Sequence, residues 1–227
     1  MKPIAENLWV KRYPLRLFGA ELGRTVTVIR LEGGELLIHS TAPFSEADVS
    51  AIRTLGKPAW LVEAALYHDT YAAKGHRAFL DLPYLAPPGF AKIARVPAQP
   101  LQPPPEAWSG QVDVLPIGGM PKGGEHLFFH RASKTLIVAD LLFNQGSHAS
   151  GWTLFLLRVA SGLKQYPGMS RIFIRQIRDR DAFVQSMRAL MEWDFKRIIV
   201  AHGEIVEGGG RKKMADALQS AGFNVRF

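Results

Sequence analysis

Three apolar segments end on a side chain that can hold a proton or a metal. ELLIHS runs to His39, TLIVAD to Asp140 and RIIVAH to His202. A further pair, His68-Asp69, follows the apolar run AWLVEA after a short gap. One histidine at a strand end carries little meaning, because a strand must end somewhere and the glycine after His202 suits a turn. Several such residues dispersed through one chain carry more. Strand ends that converge on one edge fix the backbone, while loops bring reactive groups together. Two imidazoles and one carboxylate can hold a borderline divalent metal and leave positions open for water or substrate. Such an ion lowers the pKa of water and supplies a nucleophile near neutral pH. The bland alternative is a hydrogen-bonded polar cluster without a metal.

The elements that position these residues follow from periodicity. NLWVKRYPLRL, RTVTVIRL and GGELLIHS read as consecutive antiparallel strands, with Gly33-Gly34 as a turn. A helix follows, opened by Ser45 and Asp48 as a capping box and closed by Gly56. AWLVEA is a short buried strand. Residues 83–105 are rich in proline, which excludes a regular helix or a central strand and predicts an ordered surface connection. VDVLPI is a strand, and EHLFFHRASKTLIVADLLF is a hairpin turning at RASK. WTLFLLRVASGL reads as an apolar helix or buried segment. Phe183, Val184, Met187, Leu190 and Met191 make 181–192 an amphipathic helix. RIIVAHG is a strand, RKKMADALQSAG a last helix stopped by Gly222, and NVRF a short closing edge strand. Two β-rich halves, each carrying helices, predict sheets packed face to face with helices outside.

Composition narrows the function classes. The chain has 227 residues, 47% of them hydrophobic, as for one domain with a sizeable core. No apolar run is long enough to span a bilayer, so no membrane partner is expected. The N-terminus lacks the apolar stretch of a signal peptide, and a cytoplasmic location is expected. The absence of cysteine excludes disulfides and thiolate metal sites. A net charge of +8 allows an anionic small-molecule substrate or nucleic acid. The densest basic groups, RQIRDRD and RKK, lack the interleaved aromatic residues of a nucleic-acid platform, so a solvated basic surface is the expectation. GGMPKGG lacks the order of a phosphate-binding loop, and no GxSxG nucleophile elbow is present.

TLIVADLLF, followed far downstream by RIIVAHGE, resembles the second half of the metallo-β-lactamase superfamily. The first half agrees in the order of its elements, and LLIHS, the YHD loop, APPG and FFHRASKTLIVADLLFN resemble a degenerate branch of it. The resemblance spans nearly the whole chain. It implies an α+β fold, a four-layer αββα sandwich formed by residues 1–227 as a single domain, with the site at one edge of the two sheets.

The departures are specific. The superfamily's His-x-His-x-Asp-His loop falls on EAALYH, placing Glu63 and Ala65 at the first two His positions, Tyr67 at the Asp and His68 at the last His. Alanine cannot ligate. The mid-chain ligand is displaced near GGMPKGGEH, where Glu125 is the one extra residue able to reach a metal. His68, Asp140 and His202 stand at the three positions that serve the second metal. The resemblance therefore implies a mononuclear site for Zn²⁺, or alternatively Mn²⁺ or Fe²⁺, in a hydrolase of unknown substrate. Asp69 would be the base or an orienting partner, and His39 a fourth ligand or orienting partner. His76, His126, His130 and His148 are expected in loops or at the surface. The alternative is a non-catalytic binding or scaffold protein on the same fold. An open cleft would favour catalysis; one plugged by Tyr67 or the proline-rich segment would favour binding.

Overall fold

A computed structural model describes residues 1–122, 124–146, 149–163 and 165–225. The first half contributes β1 (Lys2–Ala5), β2 (Leu8–Tyr13), β3 (Arg16–Leu17), β4 (Ala20–Glu21), β5 (Arg24–Arg30) and β6 (Glu35–His39). They are followed by α1 (Glu46–Arg53), β7 (Lys57–Val62), α2 (Ala72–Arg77), β8 (Tyr84–Ala86), α3 (Phe90–Ala94) and β9 (Gln99–Pro100). The second half contributes β10 (Val112–Pro116), β11 (His126–His130), β12 (Thr135–Asn144), α4 (Gly151–Val159) and α5 (Arg171–Ile174). It ends with α6 (Arg180–Met191), β13 (Arg197–Gly203) and α7 (Gly210–Ser220).

One sheet has the order β1-β2-β5-β6-β7-β8-β9, and the other β10-β11-β12-β13. β3 and β4 form a separate small hairpin. Side chains alternate across each strand, and that alternation builds the layers. Leu37, Phe128, Ile137 and Ile199 meet between the sheets. Val28, Ile38 and Leu61 turn outward to pack with Ile52, Phe79 and Phe90. Leu127, Val138 and Ile198 turn the opposite way, against Phe183, Met187 and Met214. Helix, sheet, sheet and helix therefore stack as the αββα sandwich expected.

Several elements match in detail. The Ser45 hydroxyl accepts from the Asp48 amide, and the Asp48 carboxylate accepts from the Ser45 amide, so Asp serves in the capping box. Others differ. NLWVKRYPLRL is not one strand: it breaks at Pro14 into β2 and the β3–β4 hairpin. The proline-rich segment is ordered but less irregular than expected. It holds β8, one turn of helix at α3, and β9 at the sheet edge, with the prolines bounding these pieces. Asn224 and Val225 form no strand, and the rest of NVRF lies outside the described residues. No helix among the described residues is long and apolar enough to cross a membrane.

Pairing direction brings the polar strand ends together. β6 and β7 run parallel, so His39 and Glu63 leave the first sheet at the same edge. β5 runs antiparallel to β6, which puts its first residue, Arg24, there as well. In the second sheet β12 and β13 run parallel, with a register break between Val138 and Phe143. That break lies at Asp140 and sets Phe143 opposite His202.

Candidate metal centre

His68, Asp140 and His202 converge, each offering one ligand atom, with all three atoms within 4.8 Å of one another. Oδ1 of Asp140 lies 3.3 Å from Nε2 of His68 and 3.4 Å from Nε2 of His202. The two imidazoles stand edge to face at 5.3 Å, and Phe143 stacks on His202 at 5.2 Å. Both histidines are buried, and Asp140 is half-buried.

Each imidazole is held by its other nitrogen. His202 Nδ1 lies 2.7 Å from the Gly23 carbonyl, which can only accept, so Nδ1 carries the proton and Nε2 keeps its lone pair. His68 Nδ1 lies 3.3 Å from Glu63 Oε1, an ionic contact outside hydrogen-bond geometry, while its Nε2 lies within hydrogen-bond distance of Asp140 Oδ1. Gly203 explains the residue after His202. Its φ is +120°, and a Cβ there would stand 2.1 Å from the Asn144 carbonyl oxygen. Only glycine lets β13 close on β12 at that point.

Glu63 has a network of its own. Its carboxylate accepts from Ser40 Oγ at 3.1 Å, the Thr41 amide at 3.2 Å and Thr41 Oγ1 at 2.7 Å. Arg24 Nη1 lies 3.4 Å from it and donates to Ser40 Oγ at 3.0 Å. Arg24 is 1% exposed, and its Nε has no partner. A buried guanidinium thus lies beside Glu63 and Ser40.

Electrostatics separate the three cluster members. Burial opposes the charge on Asp140, but the His68 charge and hydrogen bonding to both imidazoles hold its carboxyl well below the usual range. Burial and the Arg24 charge oppose protonation of His68, yet Asp140 and Glu63 raise its pKa. Burial lowers that of His202 in spite of Asp140. Glu63, also buried, is pulled below its ordinary value by His68 and Arg24.

The other expected residues are placed as follows. Asp69 is partly buried at the start of a short 3-10 turn, with no described contact to the cluster. His39 is buried edge-on to Phe128 at 4.8 Å and is not one of the three converging groups. Glu125 turns its carboxylate to the backbone, accepting from the Ala139 and Asp140 amides at 2.9 and 3.0 Å. Burial and the nearby Asp140 push its pKa up to about 8. Ala65 pairs through its backbone with Glu125. His76 is half-buried on α2. His126 and His130 correct the expectation of surface or loop histidines: both lie in β11, 4% and 3% exposed. The apolar run LFF draws its flanking residues into the strand, and His130 finds Ser133 Oγ at 2.8 Å. His148 lies outside the described residues. Sequence reading missed Arg24, the Gly23 carbonyl and the wall formed by α4. A charged residue opening an apolar strand gives no sign of burial.

A cavity of about 390 Å³ opens beside the cluster, lined by His68, Asp140, His202, Arg24 and mainly apolar side chains. Tyr67 is half exposed on its wall and does not plug it, and no residue of the proline-rich segment lines it. Two larger depressions, of about 610 and 550 Å³, include no member of the cluster.

No family model and no curated protein matches the chain. Solved structures do. A metallo-β-lactamase from Pontibacter korlensis is 12% identical, with 98% of each chain covered and a TM-score of 0.65. A metallo-β-lactamase from Erythrobacter litoralis is 14% identical, covering 96% of this chain and 95% of that one, with a TM-score of 0.67. The FIM-1 metallo-β-lactamase from Pseudomonas aeruginosa, in a mono-zinc form, is 12% identical over 98% and 95% of the two chains, with a TM-score of 0.62. The chain has the metallo-β-lactamase fold.

Proposed function

We propose that this protein is a metal-dependent hydrolase with a reduced, mononuclear site. Its substrate would be a small molecule with an ester, lactone or similar electrophilic carbonyl. The observation that carries the reading is one oxygen of Asp140 lying between two Nε2 atoms whose partner nitrogens face acceptors. The separations of 3.3 and 3.4 Å fit one tetrahedral ion, since bonds of about 2.0–2.1 Å give edges of about 3.3–3.4 Å. Zn²⁺ suits this donor set, with Mn²⁺ or Fe²⁺ as alternatives. The mono-zinc form of FIM-1 shows that a protein of this fold holds a single ion.

His68, Asp140 and His202 would hold the ion, which supplies Lewis acidity and activates water near neutral pH. The Gly23 carbonyl keeps the His202 Nε2 lone pair available, and the Glu63 carboxylate faces His68 Nδ1. Arg24 lines the cavity and would hold Glu63 in place beside His68. Asp69 is the proposed proton acceptor. It is the one further carboxylate directly adjacent in sequence to a ligand, and it is flanked by the lining residues His68 and Thr70. Water would add to the carbonyl carbon, the bond to the leaving oxygen would break, and the proton taken by Asp69 would pass to that oxygen.

Elemental analysis of tag-free protein tests the site. Near-stoichiometric metal, lost in His68→Ala/His202→Ala, is the expected result and leads to a screen of chromogenic esters and lactones. In that screen Asp69→Asn should lower turnover with metal content unchanged. A metal-free binding protein is the second reading, favoured by one observation: His68 Nε2 lies within hydrogen-bond distance of the Asp140 carboxylate, a bond that needs a proton on the nitrogen a metal would take. Absence of metal after addition of Zn²⁺, Mn²⁺ and Fe²⁺ would establish that reading instead.

A further inference from the structure

The cavity is more apolar than hydrolysis of a small polar ester requires. Above the polar floor its walls come from Leu15 and Leu22, from Leu17 and Phe18 on the β3–β4 hairpin, and from Leu156 and Leu157 on α4. Nine large apolar side chains are recorded as exposed in the described residues, and they are not scattered. Leu17, Phe18, Tyr67 and Ile172 line this cavity. Trp152, Phe155 and Val159 stand on the outer side of the helix that walls it. Leu80 and Ile93 account for the rest. Single exposed apolar residues need no explanation, but a continuous patch does.

The hairpin tip and α4 meet in this patch. A Cβ on Gly19, at the hairpin tip, would stand 3.0 Å from Trp152 Nε1, and Trp152 stacks on Phe155 at 5.7 Å. α4 is therefore apolar on both faces, with Thr153 and Leu157 buried inward and Arg158 its one charge. A helix at a protein surface ordinarily turns a polar face to water. The segment that carries α4 is basic. No Asp or Glu occurs from Leu141 to Arg178, whereas Arg158, Arg171, Arg175 and Arg178 are exposed in that stretch. Among the described residues the only Lys or Arg lining the cavity is Arg24, already faced by Glu63. Hydrocarbon walls above a polar floor match an amphiphile, not a small anion bound in the interior.

We propose that this cleft binds the acyl chain of a single amphiphile. The chain lies along the hairpin and α4, and the ester-type carbonyl meets the His68–Asp140–His202 floor. Only the cleavage step rests on the hydrolase reading; chain binding does not. The volume of about 390 Å³ falls within the ordinary small-ligand range of about 300–1,000 Å³.

Displacement of anilinonaphthalene sulfonate by saturated fatty acids, from hexanoate to palmitate, tests this on the full chain with and without Zn²⁺. The expected result is one site per chain, with affinity rising about three- to fourfold for each added methylene until the cavity is full. Ala160→Trp places a large side chain at an exposed lining position and should weaken binding about tenfold or more with an unchanged melting temperature. Phe18→Ser, at a position 97% exposed, should weaken it without touching the core. No displacement, affinity indifferent to chain length, or binding untouched by Ala160→Trp would overturn the proposal. So would adsorption to phosphatidylglycerol vesicles that ignores Ala160→Trp but is abolished by Trp152→Ser/Phe155→Ser, which would mark docking on a lipid surface. Metal content of the same samples separates the two readings. Chain binding without metal overturns the hydrolase alone, and metal without chain binding overturns the acyl cleft alone.

Discussion

Two sides of the candidate site differ in what their polar groups face. On one side the nitrogens of His68 and His202 and an oxygen of Asp140 lie within 4.8 Å of one another. On the other, Glu63, Ala65 and Glu125 make their contacts within the fold. Glu63 is tied to Arg24, Ser40 and Thr41. Ala65 and Glu125 join by backbone pairing. The Glu125 carboxylate caps two amides of β12, one of them that of Asp140. The difference teaches that the polar groups flanking the cluster are held by the fold, with a buried guanidinium supplying positive charge nearby.

The largest expected effect comes from the cluster of His68, Asp140 and His202. Asp140→Ala should drop bound metal from about one ion per chain to background, because two imidazoles alone seldom hold a divalent ion. Equal metal in the variant would erase the contrast between the halves.

The supporting half comes next. Glu63→Gln leaves Arg24 buried beside a neutral amide, and should cost about 3–5 kcal/mol in chemical denaturation. It should also weaken metal binding by about 10–100-fold, through the lost partner of His68 Nδ1. The double variant Arg24→Met/Glu63→Met should regain most of the stability and none of the metal affinity. Recovery of both would show that the pair has no orienting role.

Gly203→Ala probes the junction between the sheet and the site. Its positive φ and the 2.1 Å approach to Asn144 predict a loss of about 3 kcal/mol, with weaker metal binding as His202 shifts. Unchanged stability would mean that β13 closes on β12 less tightly than the geometry requires.

The smallest effect lies beyond the site. Burial lowers the His126 pKa from 6.5 to about 4. Between those values the folded protein keeps this imidazole neutral while the unfolded chain binds a proton. Stability should therefore fall as pH drops from about 6.5 to 4, by up to about 3 kcal/mol. In His126→Leu that part of the acid sensitivity should vanish. If the slope persists unchanged, other buried groups carry it.

The sequence by itself determined the architecture and pointed to three candidate ligands. Alternating apolar positions divide LFF, TLIV and RIIV between two cores, and that periodicity is local. A polar residue ending such a run is visible without coordinates, so Asp140 and His202 were legible as candidates, and the family resemblance added His68. Tertiary structure decided what surrounds them. Arg24 reads as an ordinary strand-opening cation, and only the antiparallel turn from β5 to β6 brings it to Glu63. His126 and His130 read as loop residues, and only the pairing of β11 with its neighbours buries them. The α4 wall was legible as an apolar helix, but not as the side of a cleft. Composition and period are properties of neighbours along the chain, whereas burial, charge pairing and cavity shape depend on which distant segments pack together.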